Sequence, residues 1–356
     1  MWERDISEAL QQQVHNAVSN GAPLKIEGGN SKAFLGRETR GDILDVSGHR
    51  GIVEHDPREL VLTARSGTPL KEIEAALAEA GQMLAFEPPH FGDNATLGGT
   101  IACGLSGPRR PFCGSARDFV LGCKLINGKG EILRFGGQVI KNVAGYDVSR
   151  LMVGAYGTLG VLLEISLKVL PRPAASHTLI QECTQAEAIS KMSRLLSQPV
   201  PIDAACYHAG HCYVRLSGSE QAVKHAHAHE HLGGEVIEKS EPFWHALREH
   251  HLPFLGSANP LYRVVVKPAV PPLEIAGEWL LDWGGAQRWL VSDEPIALIR
   301  ERVATVGGHV TQFRGSEHNG EIFQPLAAPL LVIHQRLKSS FDPHGIFNRG
   351  RIYANL

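Results

Sequence analysis

The chain has 356 residues, 43% of them hydrophobic and 20% charged, with a formal net charge of −2. That length exceeds what one core usually holds, so two domains are expected. Near-neutral charge gives no electrostatic reason to expect a nucleic-acid partner. In chain order, Ile6, Leu10, Val14 and Val18 recur every four residues and predict a helix that stops at Gly21. A strand from Pro23 to Glu27 runs into Gly28-Gly29-Asn30-Ser31, and strands follow at Asp42–Val46, Gly51–Glu54 and Leu60–Ala64. Thr68 as N-cap with Pro69 at the first helical position opens a second helix, with Ile73, Leu77 and Ala80 on one face and Gly81 at its end. QMLAFEP reads as the next strand, and Asn127-Gly128 between apolar runs predicts a hairpin.

Pro171-Arg172-Pro173 marks a domain boundary. Beyond it CYVRLSG, EVIEK, LYRVVVKP, AQRWLV and HVTQFR read as strands, with helices at SEQAVKHAHAHEHLGG and from Pro295 to Gly307. The tail LLVIHQRLKSSFDPHGIFNRGRIY is a helix ended by a Pro-Gly turn and is expected to pack back on the first domain. The fold class is α+β, with a βαβ-type second domain.

No stretch reaches the roughly 18 apolar residues of a membrane span; VLLEISLKVL is broken by Glu164 and Lys168. The start, MWERDISEAL, is acidic and amphipathic rather than a signal peptide. Six cysteines without a small-domain framework fit reduced thiols in the cytoplasm. Cys103, Cys113 and Cys123 stand ten apart, too far for cluster ligation, and read as small buried hydrophobes.

From Leu97 to Leu170 glycines recur where strands and helices begin, as a backbone lying against a flat, phosphate-bearing ligand requires. No GxGxxG follows a strand and opens a helix, so the site is not a Rossmann fingerprint; Gly154–Gly160 leads into a strand instead. Glu27–Lys32 is either an anion loop or a simple left-handed turn. At Thr96-Leu97-Gly98-Gly99-Thr100 the threonine can cap a helix whose first N–H groups stay free for a pyrophosphate, unless the glycines serve tight helix–strand packing.

Taken in order, PLKIEGGNSK, HDPRELVLTARSGTPLKEIEAALAEAG, EPPHFGDNATLGGTIA and GYDVSRLMVGAYGTLGVLLE resemble the vanillyl-alcohol-oxidase/PCMH family of FAD proteins over residues 1–172, and DPHGIFNRG resembles that family's closing motif. The resemblance implies a two-subdomain FAD-binding domain at 1–172, a smaller α+β cap at 173–330, and a C-terminal segment, 331–356, returning to the FAD domain. It places one phosphate loop at Gly28, Gly29, Asn30 and Ser31 and a second at Thr96, Gly98, Gly99 and Thr100. Gly104, Ser106 and Gly107 would pass near the isoalloxazine, Gly157, Gly160 and Val161 beside the adenine, and Asn348 toward the ring from the tail. Glu27 and Lys32 depart from the residues common in the first loop. Neither His nor Cys stands in that loop, and Cys103 is off the usual position, so noncovalent FAD is expected.

Within the family, SGPRRPFCGSARDFVLGCKLINGKGEILRFGGQVIKNVAGYDVSRLMVG and LDWGGAQRWLV are similar to the small FAD-binding subunits of bacterial glycolate oxidases. That implies oxidation of glycolate to glyoxylate in a complex with a larger catalytic flavoprotein subunit and an iron–sulfur subunit, cytoplasmic and held at the inner membrane face, if at all, through partners. A non-catalytic structural flavoprotein subunit and a free-standing oxidase of a small hydroxy acid are the alternatives. A 2-hydroxy-acid dehydrogenase needs a cation for the carboxylate and a base for the hydroxyl proton. Arg109, with Arg110 beside it, and Arg263 on an apolar strand are the candidate anchors, against a solvated loop and an internal ion pair respectively. The family's HGHxGDGN-type metal motif is absent, and no metal is expected. His225, His227, His229 and His231 alternate, but their flanks argue for a helix surface rather than a metal site.

Overall fold

Helix Ser7–Asn20 buries Leu10, Val14 and Ala17 along one face and ends at Gly21, whose φ of 63° lets its N–H return to the last turn. The computed structural model describes residues 4–137, 146–226, 232–237, 239–315 and 320–356. Much of the GQVIKNVAGYD stretch and His227, His229 and His231 lie outside those residues; His225 lies in the last turn of the helix Glu220–Ala226.

The N-terminal half is built on two sheets. Leu24–Glu27 and Asp42–Asp45 pair in parallel. A five-stranded antiparallel sheet runs Ile52–Asp56, Val61–Arg65, Val161–Lys168, Val120–Ile126, Ile132–Gly136. Val161–Lys168 is central and nearly wholly buried, which is why it is mostly apolar on both faces instead of alternating. Its one acid, buried Glu164, pairs with Lys124 at 3.2 Å and Arg134 at 3.1 Å. The Asn127-Gly128 hairpin is present, with Ile126 opposite Ile132.

Two local expectations are corrected. Thr68 does not cap the second helix, which is Leu70–Glu79 with Pro69 at its N-cap; Thr68 is fully buried and its hydroxyl is bonded to the Gly51 backbone. QMLAFEP yields only the short strand Gln82–Met83, paired with Leu170–Pro171. Ala85 and Phe86 go instead into the core shared with helix Leu70–Glu79.

The C-terminal half is one eight-stranded antiparallel sheet made of two quartets. The first, Ala175–Glu182, Ile202–His208, His211–Gly218 and Glu235–Ile237, lies in the order fourth-first-third-second. The second, Leu261–Val265, Glu278–Asp282, Gln287–Val291 and His309–Arg314, repeats that order. They meet through their second strands, Tyr207 opposite Leu281. Sequence reading missed the first quartet's opening strands and the helix Gln185–Leu195, although Thr184 and Glu187 form a capping box that announces it.

Helix Ala328–Phe341 leads the tail back to the N-terminal half. Buried Lys338 donates to Thr158 O and Asp342 Oδ2 at 2.7 Å and to Phe347 O at 2.9 Å. Phe347 then bridges Leu24 in parallel, so the tail extends the small parallel sheet.

Candidate functional site

A cavity of about 380 Å³ opens where the small parallel sheet, the helix Leu97–Cys103 and the tail converge. Gly28, Gly29, Asn30, Ser31, Thr96, Gly98, Gly99, Gly157, Gly160 and Asn348 all line it. Thr100, Gly104, Ser106, Gly107 and Val161 do not. Thr100 and Val161 are fully buried behind the wall, Gly104 packs on Gly154, and Ser106 and Gly107 face a second cavity.

The two loops differ in a way the sequence did not reveal. The helix start is already satisfied within the protein: Leu97 N donates to Thr68 O, Gly98 N to Ser66 O, and Gly99 N to the Thr96 hydroxyl. The expectation of free N–H groups there is therefore corrected, because the helix is docked end-on against the Arg65–Thr68 turn. Along Gly28–Lys32, by contrast, no backbone N–H meets an acceptor among the described residues. Asn30 sits at φ 56°, and successive amides around a left-handed residue form an anion-binding concavity.

The glycines earn their places by protein contacts as much as by ligand access. A Cβ on Gly29 would lie 1.5 Å from Asn94 O, and one on Gly98 would lie 2.7 Å from Ser66 Cβ. Asn94 also donates to Gly29 O, so the two loops are locked together. Asn348 lines the cavity with its amide committed: Oδ1 accepts from Ile26 N at 2.8 Å and Nδ2 donates to Tyr156 O at 2.7 Å.

Lining residues that sequence reasoning missed include Ser66, Tyr156 and Arg351. Ser66 is wholly buried, and its hydroxyl has no hydrogen-bond partner among the described residues. Thr100 Oγ1 behind it is equally unpartnered. Free amides and orphaned hydroxyls beside apolar walls suit a ligand with phosphates and flat rings, so the residues present fit a flavin dinucleotide.

The second cavity, about 20 Å³, lies at the sheet-to-sheet junction and is lined by Ser106, Gly107, His250, Arg263, Asp282 and Gln287 among others. That space holds roughly one water molecule. Arg263 Nε donates to Gln287 Oε1 at 2.6 Å, and Gln287 Nε2 donates to Asp282 Oδ2 at 3.3 Å. Burial lowers the Arg263 pKa to about 10 and raises that of Asp282 to about 7. His250, pressed between Phe91, Trp289 and Phe313, is driven by burial to about 3 and is neutral. Arg109 lines neither cavity. Its guanidinium reaches Asp203 at 2.7 Å and Glu87 at 3.3 Å. Arg110 instead covers the Trp283 ring at 4.2 Å.

Among the described residues no cluster of His, Cys, Asp and Glu could hold a metal ion, and no helix is long and apolar enough to cross a membrane.

Residues 6–136 match the family described as FAD binding domain. The fold agrees: alkyldihydroxyacetonephosphate synthase superposes with a TM-score of 0.68 at 16% identity, covering 96% of this chain and 74% of that one. The chain belongs to the family of the glycolate oxidase subunit GlcE; the Escherichia coli K12 protein of that name is 54% identical over 354 residues, 99% of each chain. Glycolate oxidase subunit GlcD of Bacillus subtilis is 35% identical over 129 residues, which is 36% of this chain and 27% of that protein.

Proposed function

We propose that this chain is the small FAD-binding subunit of a complex that oxidises glycolate, a 2-hydroxy acid, to glyoxylate. The observation supporting the cofactor's position is the run of unpartnered amides from Gly28 to Lys32 on the cavity wall. In this reading residues 1–172 with the tail 331–356 hold FAD, and residues 173–330 form the cap. Gly28–Ser31 bind the pyrophosphate, Ser66 and Thr96–Gly99 close its other side, and Gly157, Gly160 and Asn348 flank the rest. The flavin supplies two-electron redox chemistry; the protein supplies position and potential. In this reading attachment is noncovalent, since neither His nor Cys stands in the Gly28–Ser31 loop.

A larger flavoprotein subunit and an iron–sulfur subunit complete the complex on the cytoplasmic side. Substrate oxidation belongs mainly to the larger subunit, and this chain's flavin carries electrons. The one-water cavity beside Gly107 favours that division, because glycolate does not fit it without movement. Arg263 remains the candidate carboxylate anchor should that cavity open. Anaerobic glycolate added to the isolated, FAD-loaded chain should leave the flavin absorbance unbleached, and adding the partner subunits should bleach it. Bleaching of the isolated chain would overturn the relay reading, and failure to bind FAD would overturn both.

A further inference from the structure

Lys32, the last residue of the Gly28–Lys32 run, has a distinct setting in the structure. The side chain is buried, only 6% exposed, on the wall of the large cavity. Its ammonium donates to His90 O at 3.1 Å and Ser31 Oγ at 3.4 Å, and lies 5.8 Å from the Phe91 ring centroid. Among the described residues no carboxylate lies within ion-pairing distance of it, and one of its three N–H donors has no acceptor. Burial pulls its pKa below the ordinary lysine value, with Cys103 and the Glu249 carboxylate acting the other way. Glu249 is turned away, accepting from His90 N and Phe91 N and pairing with Arg248. The neighbouring cation on the wall, Arg351, is committed to the carbonyls of Arg37 and Ala33.

The direction in which this ammonium faces decides what it meets. The helix Leu97–Cys103 spans about 10 Å. The Gly28–Ser31 amides lie beside its first residues, since Gly29 touches Asn94 and Gly28 touches Thr96. Cys103, at its far end, packs into one cluster with Phe34, Phe91 and Tyr156, and the Lys32 ammonium lies over that Phe91 ring. That end is aromatic: Phe34 and Tyr156 line the cavity there, and Phe34 meets Phe91 edge-on at 5.6 Å. Phe91 in turn lines the second cavity. This is the end of the site that meets the C-terminal sheet, Phe34 packing edge-on against Phe313 at 5.6 Å.

We propose that the Lys32 ammonium faces the isoalloxazine of bound FAD and is the counter-charge for its reduced form. The inference rests on the FAD reading above. Two electrons passed from a hydroxy acid by way of the larger subunit, with one proton, would leave the ring with one net negative charge, held on its N1–C2=O edge. The donor's alcohol carbon becomes a carbonyl, and its second proton goes to solvent. A buried cation at that edge favours the reduced ring and raises its potential.

The test uses the full chain, wild type and Lys32→Met, each reconstituted with FAD, with Lys32→Arg as the charge-conserving control. For the wild type, the reduced flavin's absorption should show N1 staying deprotonated to lower pH than in free FAD. In Lys32→Met that protonation should move up by roughly one pH unit or more, a tenfold change in the equilibrium, and the midpoint potential should fall. FAD affinity should change less than about threefold, and Lys32→Arg should restore both redox readouts. A tenfold loss of FAD affinity with unchanged potential would overturn the proposal, placing the ammonium on the pyrophosphate. So would a wild-type protein whose reduced flavin titrates as free FAD does, a readout that needs no variant to fold. Failure of the wild type to bind FAD would instead remove the underlying cofactor reading.

Discussion

Arg215 on the strand His211–Gly218 places Nη2 2.7 Å from Glu87 Oε1, joining the C-terminal sheet to a loop of the N-terminal half. The same guanidinium holds Asp203 at 2.6 Å, and Arg109 closes the ring through both acids. Burial works against the charge on Arg215, yet Glu87 and Asp203 outweigh it and hold its pKa above the ordinary value. Breaking a buried network by removing one partner leaves uncompensated charge. Arg215→Met should therefore cost about 3–5 kcal/mol in denaturant unfolding, and adding Glu87→Gln should recover part of it. Equal stability of wild type and the single variant would show that the network is solvated.

Gly29→Ala should abolish FAD binding. Its Cβ would fall inside the van der Waals shell of Asn94 O, so the loop must part from the helix start and lose the curl that aligns its amides. Flavin retained on gel filtration at wild-type stoichiometry would contradict this.

Ser66 offers a cleaner probe, because its hydroxyl is buried, orphaned and on the cavity wall. Ser66→Ala should leave the FAD-free chain as stable as wild type or slightly more so, since an unsatisfied polar group is removed. FAD affinity should fall roughly three- to tenfold, the value of one hydrogen bond. The two effects are separable by thermal melts with and without FAD.

These residues also mark how far the sequence reached. The phosphate loops were legible because glycine clusters flanked by strand and helix signals are local patterns. Which loop keeps free amides was not, since that depends on the docking of Leu97 and Gly98 against Ser66 and Thr68, about thirty residues away. Arg109 read as an open anchor because Glu87 and Asp203, its partners, are distant in sequence and carry no pattern. Ser66 gave no signal beyond its neighbourhood, and Lys32 stood out only as a departure within the resemblance; burial makes both informative. The cap's repeated strand order was hidden for another reason: its two quartets share topology but not a visible sequence repeat.

Asp282 supplies a pH test. Burial raises its pKa to about 7, against the hydrogen bond from Trp283 N that favours ionisation. The unfolded carboxyl titrates near 3.8. Between those values the folded protein holds a proton that the unfolded chain has released, so stability falls as pH rises through the window. The slope for one such proton is at most about 1.4 kcal/mol per pH unit. Asp282→Asn cannot titrate, so wild-type stability measured by urea unfolding should decline more steeply than that of the variant from about pH 4 to pH 7. Above that window the two curves should run parallel. Parallel curves throughout would mean that Asp282 is ionised in the folded state. The gap with Arg263 would then be bridged by a charge pair through Gln287, not by a neutral acid.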